Sequence, residues 1–170
     1  MSKEMIPIVD EKDEIIDIKP ISEVHKLGLL HRESYVYLIN FRQEILLQKR
    51  IDTGLWDHSA AGHFSKNESY INGAKREVEE ELGININISE LKKIAYERLT
   101  SVKPHKNNVR FAEIFLIKKN ISINEFNIDN NEIKEIKYFN KQELIDLLSK
   151  PHLLTNSAKK IIKKHILRIM

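Results

Sequence analysis

The sequence predicts one α/β domain with a mixed β-sheet flanked by helices. Three observations support this prediction: strand-like apolar runs recur along the chain, an acidic amphipathic helix is indicated in the middle, and a basic one near the end. With 170 residues, 41% hydrophobic and 31% charged, the chain can bury a single core. No internal repeat or linker interrupts the pattern, so we expect one domain over residues 1–170.

The first half of the chain predicts a hairpin, a short helix and two strands. Apolar runs on either side of the polar turn at residues 10–13 predict a β-hairpin over residues 6–18. Pro20 begins a short helical segment. The next elements are expected at residues 35–40 (strand), 44–49 (strand) and 51–58 (loop).

The second half of the chain predicts three strands and two helices. They are expected at residues 91–101, 109–118 and 136–139 (strands) and 141–148 (helix), with polar loops at 102–108 and 121–133. The last helix is expected at about residues 155–169, with Ala158, Ile161, Ile162, Ile166 and Ile169 on one side. This side is expected to dock onto the core; a homodimer contact and an anionic surface are the alternatives.

The composition excludes several classes of protein. The chain has no cysteine, which excludes disulfides, thiolate metal sites and cysteine nucleophiles. No apolar run approaches the length of about 18 residues that crosses a membrane. Acidic residues stand near the start, where a signal peptide is apolar. The net charge of +3 is too small to indicate nucleic-acid binding by itself. We therefore expect a cytoplasmic protein that requires neither membrane nor nucleic acid.

Four glutamates crowd into the predicted central helix. Residues three and four apart share a helix face, so Glu77, Glu80 and Glu81 project together beside an apolar stripe. Each pair of like charges costs roughly 1 to 4 kcal/mol at about 4 Å near a protein surface. Mg²⁺ or Mn²⁺, which prefer oxygen ligands, would remove that repulsion. The alternative is a solvated acidic helix face.

Local signals predict the ends of this helix. Ser65 and Glu68 fit a capping box at its start, and Gly83 stands where a left-handed C-terminal turn is expected. Gly73 inside the helix costs up to about 1 kcal/mol relative to alanine. Its missing side chain either leaves room beside the acidic face or is a tolerated defect.

The stretch Gly62–Ile84 fits the pattern G-x5-E-x7-R-E-U-x-E-E-x-G-U, where U is a bulky aliphatic residue, and resembles the box of the Nudix hydrolases. Nine fixed positions match: Gly62, Glu68, Arg76, Glu77, Val78, Glu80, Glu81, Gly83 and Ile84. The resemblance implies an α/β/α sandwich with a loop–helix–loop that holds Mg²⁺ or Mn²⁺ against a diphosphate. It also implies a pyrophosphohydrolase that cleaves the diphosphate linkage of a small-molecule nucleoside diphosphate derivative.

The resemblance also assigns roles by position. It implies metal ligands at Glu77, Glu80, Glu81 and the backbone carbonyl of Gly62. Glu77 would help to activate water. Arg76 would pair with Glu68, or with a metal-binding glutamate, and so fix the helix.

Glu113 is a further catalytic candidate, because it stands in an apolar predicted strand where an unpaired carboxylate is costly to bury. It would complete the metal shell or act as general base; the alternative is an outward-facing strand residue. The catalytic interpretation predicts that Glu113→Gln loses at least about tenfold in turnover while the fold survives.

A second resemblance lies outside the box. The N-terminal hairpin and the segments VHKLGLLHR, YVYLIN and LLQKR…GLWDHSAAGH are similar to the isopentenyl-diphosphate-isomerase-like branch of the Nudix superfamily. In the isomerases, histidines that match His25, His31 and His63 bind a metal; here a second metal site and a scaffold role are both open, and we favour the scaffold. The isomerases require a thiol at the position of Ala61. Hydrolysis is therefore favoured over isomerisation, and the intact glutamate set disfavours a non-catalytic nucleotide-binding module.

Five residues are candidates for substrate contact: Arg50, Trp56, Arg32, Lys49 and Tyr35. They lie near the start of the box or on strands that are expected to face the cleft. An exposed tryptophan can stack on a base, and an arginine can bind phosphate. The alternative for each is a structural or surface role.

Overall fold

The computed structural model describes residues 4–103 and 106–170, and within them the chain forms a nine-stranded sheet and four α-helices. The strands are β1 (Met5–Val9), β2 (Ile15–Pro20), β3 (Leu30–Ile39), β4 (Ile45–Arg50), β5 (Trp56–Asp57), β6 (Ala60–Gly62), β7 (Lys92–Lys103), β8 (Lys106–Lys118) and β9 (Ile133–Phe139). The helices are α1 (Ile21–Leu27), α2 (Tyr70–Leu82), α3 (Lys141–Leu148) and α4 (Asn156–Lys164). The predicted loop at 102–108 lies partly outside the described residues.

Strand β3 is the centre of the sheet. It pairs in parallel with β8 and antiparallel with β1, β4 and β6. Strand β8 also pairs antiparallel with β7, and β4 pairs antiparallel with β5 and β9. The sheet is therefore mixed, as predicted, and the continuous apolar run of β3 is typical of a strand that is covered on both faces.

The two faces of the sheet bury separate cores. Because side chains alternate along a strand, Tyr35 and Tyr37 face α3 and α4, whereas Val36 and Leu38 face α2. Helix α2 packs with Ala74, Val78 and Leu82, all fully buried. The predicted α/β/α sandwich is confirmed.

The C-terminal helix is shorter than predicted. Helix α4 ends at Lys164 because His165, with φ −121° and ψ −46°, leaves the helical conformation, and a 3-10 turn follows at Ile166–Arg168. Four of the five predicted core residues are fully buried: Ala158, Ile161, Ile162 and Ile166. Ile169 instead stays 38% exposed. No described helix is both long and apolar enough to cross a membrane.

The start of α2 differs from the prediction. Ser69, not Ser65, is the N-cap, and its side chain accepts from the Asn72 N–H at 3.4 Å. The predicted reach of Glu68 back to the Ser65 N–H does form, at 3.2 Å, but in a turn that precedes the helix. Gly83 adopts the predicted left-handed conformation with φ +65°.

The missing side chain of Gly73 leaves room beside the acidic face of α2, as the first of the two sequence-based alternatives stated. A Cβ atom there would come within 2.9 Å of the Phe64 side chain. The missing side chain therefore makes room for a buried phenylalanine on the helix face that carries Glu77 and Glu80, and Phe64 lines the same cavity as these glutamates.

Candidate active site

A cavity of about 880 Å³ lies beside the N-terminal half of β3. It is lined by residues of α1, β3, the β5–β6 segment, α2 and the first turn of α4. The box residues Gly62, Glu68, Arg76, Glu77 and Glu80 all line it.

Arg76 joins the acidic groups of the box. Its Nε lies 3.0 Å from Glu68 Oε1, and its Nη1 lies 2.8 Å from Glu77 Oε1 and 2.7 Å from Glu80 Oε2. Its Nη2 donates to the backbone carbonyl of His63 at 2.7 Å. The two pairings implied for Arg76 thus occur together, and one guanidinium ties α2 to the loop that follows β6.

Gly62 and Glu77 are in direct contact. A Cβ atom on Gly62 would overlap the Glu77 carboxyl group, so an alanine at this position would push that carboxyl group aside. The Glu77 side chain is only 13% exposed, and this burial raises its pKa to about 7 despite the neighbouring Arg76. A carboxyl group with such a pKa can hold or release a proton near neutral pH.

The three glutamates implied as metal ligands do not converge on one point. Glu80 is 60% exposed, on the side of Arg76. Glu81 is buried below the cavity, where Oε2 accepts from the Ala61 N–H at 2.9 Å and from Gln48 Nε2 at 3.0 Å. Burial raises the pKa of Glu81 well above its ordinary value. Helical spacing puts the three glutamates on neighbouring faces of α2. The hydrogen bonds that Glu81 accepts from Gln48 in β4 and Ala61 in β6 turn its carboxyl group toward the interior.

A second group of possible metal ligands does converge. Among the described residues, donor atoms of His25, His31, Glu33 and His63 lie within 4.8 Å of one another. The three imidazole centroids are 5.1 to 5.4 Å apart. These residues come from α1, β3 and the loop after β6, so the fold gathers a cluster that the sequence disperses.

The chemistry of this histidine–glutamate cluster fits a metal ion. His31 Nδ1 donates to the Leu29 carbonyl at 2.8 Å, which leaves the lone pair of Nε2 free for a ligand. The Nε2 atoms of His31 and His63 are buried, and they lie 3.8 and 3.1 Å from Glu33 Oε1 without the geometry of a hydrogen bond. Buried polar atoms are normally satisfied, and imidazoles with one carboxylate suit zinc and related transition metals. The arrangement fits a metal site as well as the scaffold role that the sequence favoured.

Glu33 lines the cavity and accepts several hydrogen bonds, but it was not among the site residues predicted from the sequence. It accepts from Asn108 Nδ2 at 2.8 Å, from Arg110 Nε at 2.9 Å and from the Tyr35 hydroxyl. Its Oε1 lies 3.1 Å from His63 Nε2. Burial opposes its ionisation, but Arg110 and His63 outweigh burial and hold the pKa of Glu33 well below its ordinary value. The sequence feature that could have identified Glu33 is the presence of two charged residues, Glu33 and Arg110, in or next to predicted strands.

Of the five candidates for substrate contact, Arg50 and Tyr35 line the cavity, and Lys49 does not. The Nε of Arg50 lies 2.9 Å from Asp52 Oδ1. Arg32 does not line the cavity; its Nε pairs with Asp13 Oδ1 at 2.6 Å at the turn of the N-terminal hairpin. Trp56 does not line it either, because its ring packs edge-on against Phe139, 4.9 Å away. Strand alternation and register, which the sequence alone did not give, decide these positions.

Glu113 also lies outside the cavity. It stands opposite Ser34 and Tyr96 in the sheet, and its Oε1 lies 2.5 Å from Lys93 Nζ. The ion pair explains how a carboxylate is accommodated in this strand. The geometry gives no support to a catalytic role for Glu113.

Comparison with known proteins agrees with this architecture. The family model described as NUDIX domain matches residues 29–164. The crystal structure of DR0079 from Deinococcus radiodurans superposes with a TM-score of 0.73 at 17% identity, covering 95% of this chain and 98% of that one. A MutT NUDIX hydrolase from Burkholderia pseudomallei superposes with a TM-score of 0.63 at 18% identity, covering 79% and 97%. At these identities the likeness concerns the fold.

Proteins that are similar in sequence are named either as Nudix hydrolases or as isopentenyl-diphosphate isomerases. Nudix hydrolase 3 of Arabidopsis thaliana is 32% identical over 88% of this chain, and isopentenyl-diphosphate Delta-isomerase 1 of Bos taurus is 30% identical over 86%. The alignments span 21% of the Arabidopsis protein and 74% of the bovine one, and 55% of an isomerase from Serratia proteamaculans. With the box, the sandwich and the matched family model in place, the chain belongs to the NUDIX domain family.

Proposed function

We propose that the chain is a hydrolase that cleaves the diphosphate linkage of a nucleoside diphosphate derivative with the help of Mg²⁺ or Mn²⁺. The contact between Gly62 and the Glu77 carboxyl group carries this proposal, because it holds an ionisable carboxyl against the backbone at the wall of the cavity. Glu77, Glu80 and the Gly62 carbonyl would hold the cation, and Glu81 would join them only by giving up its hydrogen bonds to Ala61 and Gln48. When bound, such a cation neutralises phosphate charge and lowers the pKa of a coordinated water.

The chain's own residues have distinct tasks in this reaction. The oxygen of a water attacks one phosphorus, the bridging P–O bond breaks, and two phosphate products leave. Glu77 would help to activate the attacking water by accepting its proton. Arg76 positions Glu77 and Glu80 and ties both to the loop after β6. Arg50, which also lines the cavity, is a cationic side chain that can bind a phosphate of the substrate.

The histidine–glutamate cluster keeps an isomerase-like alternative in view, since relatives with that name match the chain. Ala61 argues against this alternative: it lines the cavity where the isomerases require a thiol, and the chain has no cysteine. Without that group, an allylic proton shift lacks its acid–base partner.

A panel of diphosphate compounds, assayed for phosphate release with and without Mg²⁺, tests the proposal. We expect Mg²⁺-dependent turnover, and a loss of at least about 100-fold in Glu80→Gln. Glu79→Gln is the matched control, because Glu79 lies on the same helix but pairs with Lys75. The absence of Mg²⁺-dependent turnover on every compound would contradict hydrolysis. Conversion of isopentenyl to dimethylallyl diphosphate would favour the isomerase, and nucleotide binding without turnover would favour a binding module.

A further inference from the structure

Arg110 is a buried cation beside the histidine–glutamate cluster, and the proposed reaction does not use it. It is only 3% exposed, whereas arginines are rarely buried in proteins unless their charge is paired. Strand β8 places it directly opposite His31 of β3, and its guanidinium reaches Glu33, two residues further along β3. A buried charge is costly, so the position of this arginine next to the cluster needs a physical reason.

The contacts of Arg110 fix its guanidinium in place. Its Nε lies 2.9 Å from Glu33 Oε2 and 2.8 Å from the Tyr35 hydroxyl. Its Nη1 donates to Ser101 Oγ and to the Asn108 carbonyl, each at 3.1 Å. These partners come from β3, β7 and β8, so the guanidinium would have to break several hydrogen bonds to move away. Arg110 therefore acts on the cluster as a fixed positive charge.

Glu33 connects this charge to the imidazoles. Its Oε2 accepts from Arg110 Nε, whereas its Oε1 lies 3.1 Å from His63 Nε2 and 3.8 Å from His31 Nε2. A metal ion among the imidazoles would thus share one carboxylate with the guanidinium. Two cations at such short range repel each other, and burial strengthens the repulsion.

The charge balance around Arg110 differs from that in the box. One guanidinium there faces three carboxylates, those of Glu68, Glu77 and Glu80. One positive charge cannot neutralise three negative ones, so the box retains negative charge for a cation. In the described chain, Arg110 is within ion-pair distance of Glu33 alone. The carboxylate of the histidine–glutamate cluster is therefore already balanced without a metal ion.

We propose that Arg110 is a built-in counter-cation of the histidine–glutamate cluster and thereby sets the affinity of the cluster for a transition metal ion. Because Glu33 is already paired, a metal ion gains less from this carboxylate and is repelled by the guanidinium. The cluster then binds the ion less tightly than its ligands allow, and at low metal concentration it serves as scaffold. Loss of the charge of Arg110 turns the same residues into a tighter metal site. This inference does not depend on the proposed hydrolysis.

Titration of the full chain with Co²⁺, followed by absorption, tests the inference without a turnover assay. Arg110→Gln removes the charge but keeps N–H donors for Glu33, whereas Arg110→Lys keeps the charge but loses the planar fork. We expect Co²⁺ to bind Arg110→Gln at least about tenfold more tightly than the wild-type chain, and Arg110→Lys within about threefold of it.

Three results would each overturn the proposal. The first is equal or weaker Co²⁺ binding by Arg110→Gln. The second is an equal gain in Arg110→Lys, because packing and not charge would then be the cause. The third is the absence of Co²⁺ binding at about 1 mM by both the wild-type chain and Arg110→Gln.

Two further variants locate the effect. Arg98→Gln is the matched control, because Arg98 is an arginine of β7 that pairs with Glu11 outside the cavity, and it should leave the Co²⁺ affinity unchanged. Adding His31→Ala to Arg110→Gln should remove the gain, because it deletes one imidazole of the cluster. A gain that survives His31→Ala would place the bound Co²⁺ elsewhere and overturn the assignment.

The folding of Arg110→Gln provides a second measurement, since removing one partner of a buried ion pair destabilises a protein. If this variant does not fold by itself, Co²⁺ should restore the folded state, because the ion replaces the missing charge and binds only the folded chain. Near-ultraviolet circular dichroism measures this recovery. Failure of about 1 mM Co²⁺ to restore the fold would contradict the proposal.

Discussion

The cavity holds two candidate metal centres that are built in opposite ways. The box centre comes mainly from one helix, in which Arg76, Glu77 and Glu80 follow one another at helical spacing. The histidine–glutamate cluster comes from α1, β3 and the loop after β6. Carboxylates suit Mg²⁺ or Mn²⁺, whereas imidazoles suit transition metals. One cavity can therefore present two sets of metal ligands with different ion preferences. A variant that damages one set should leave the other set able to bind its ion.

Gly62→Ala should have the largest effect on the box centre. Its Cβ atom would collide with the Glu77 carboxyl group, so we expect turnover with Mg²⁺ to fall at least about 100-fold. The histidine–glutamate cluster should still bind Co²⁺, a spectroscopic probe for imidazole sites, in an absorption titration. Near-normal turnover would show that the glycine is not required; loss of Co²⁺ binding would show that the centres are not separable.

His31→Ala should damage the other centre. We expect the affinity for Co²⁺ or Zn²⁺ to fall at least about tenfold, because one imidazole ligand is removed from the cluster. His152→Ala, an exposed histidine outside the cavity, is the matched control. Metal titration and metal analysis measure the effect, and unchanged stoichiometry would restore the scaffold interpretation. A loss of hydrolysis as large as that of Glu80→Gln would mean that the two centres work as one.

The box centre should also make stability depend on pH and Mg²⁺ together. Burial raises the folded-state pKa of Glu77 from 4.5 to about 7, so folded protein binds more protons than unfolded protein between these values. The contribution of Glu77 to stability therefore falls as pH rises through this window. Added Mg²⁺ should replace the lost proton and raise Tm more at about pH 8 than at about pH 5.

Thermal unfolding with and without Mg²⁺ measures this difference, and Glu77→Gln should remove most of it. His58 contributes with the opposite sign, since its lowered pKa makes stability rise with pH between about 4 and 6.5. An equal Mg²⁺ effect at both pH values would contradict the assignment to Glu77.

The smallest effect is expected at Glu113, which belongs to neither centre. Its carboxylate pairs with Lys93 outside the cavity, so Glu113→Gln should keep turnover within about threefold. Steady-state assays that compare Glu113→Gln with Glu80→Gln measure this effect on turnover. A loss of tenfold or more would revive the catalytic interpretation of this residue.

Local patterns predicted much of the fold. Period-two and period-3.6 spacing gave the hairpin, α3 at Lys141–Leu148 and the buried side of α4. The start of α2 was misplaced by four residues, from Ser65 to Ser69, because both serines offer a cap and an ion pair between Glu68 and Arg76 draws the first turn away from the helix.

The sequence by itself determined the box, since its residues are neighbours along one helix and the loop before it, where spacing translates directly into geometry. Tertiary structure alone decided which strand residues reach the cavity: it brought Glu33, Arg110 and His58 inward and left Arg32, Trp56 and Glu113 outside. It also turned Glu81 away from Glu80. Register and alternation in a sheet depend on partners distant in sequence, and no local pattern records them.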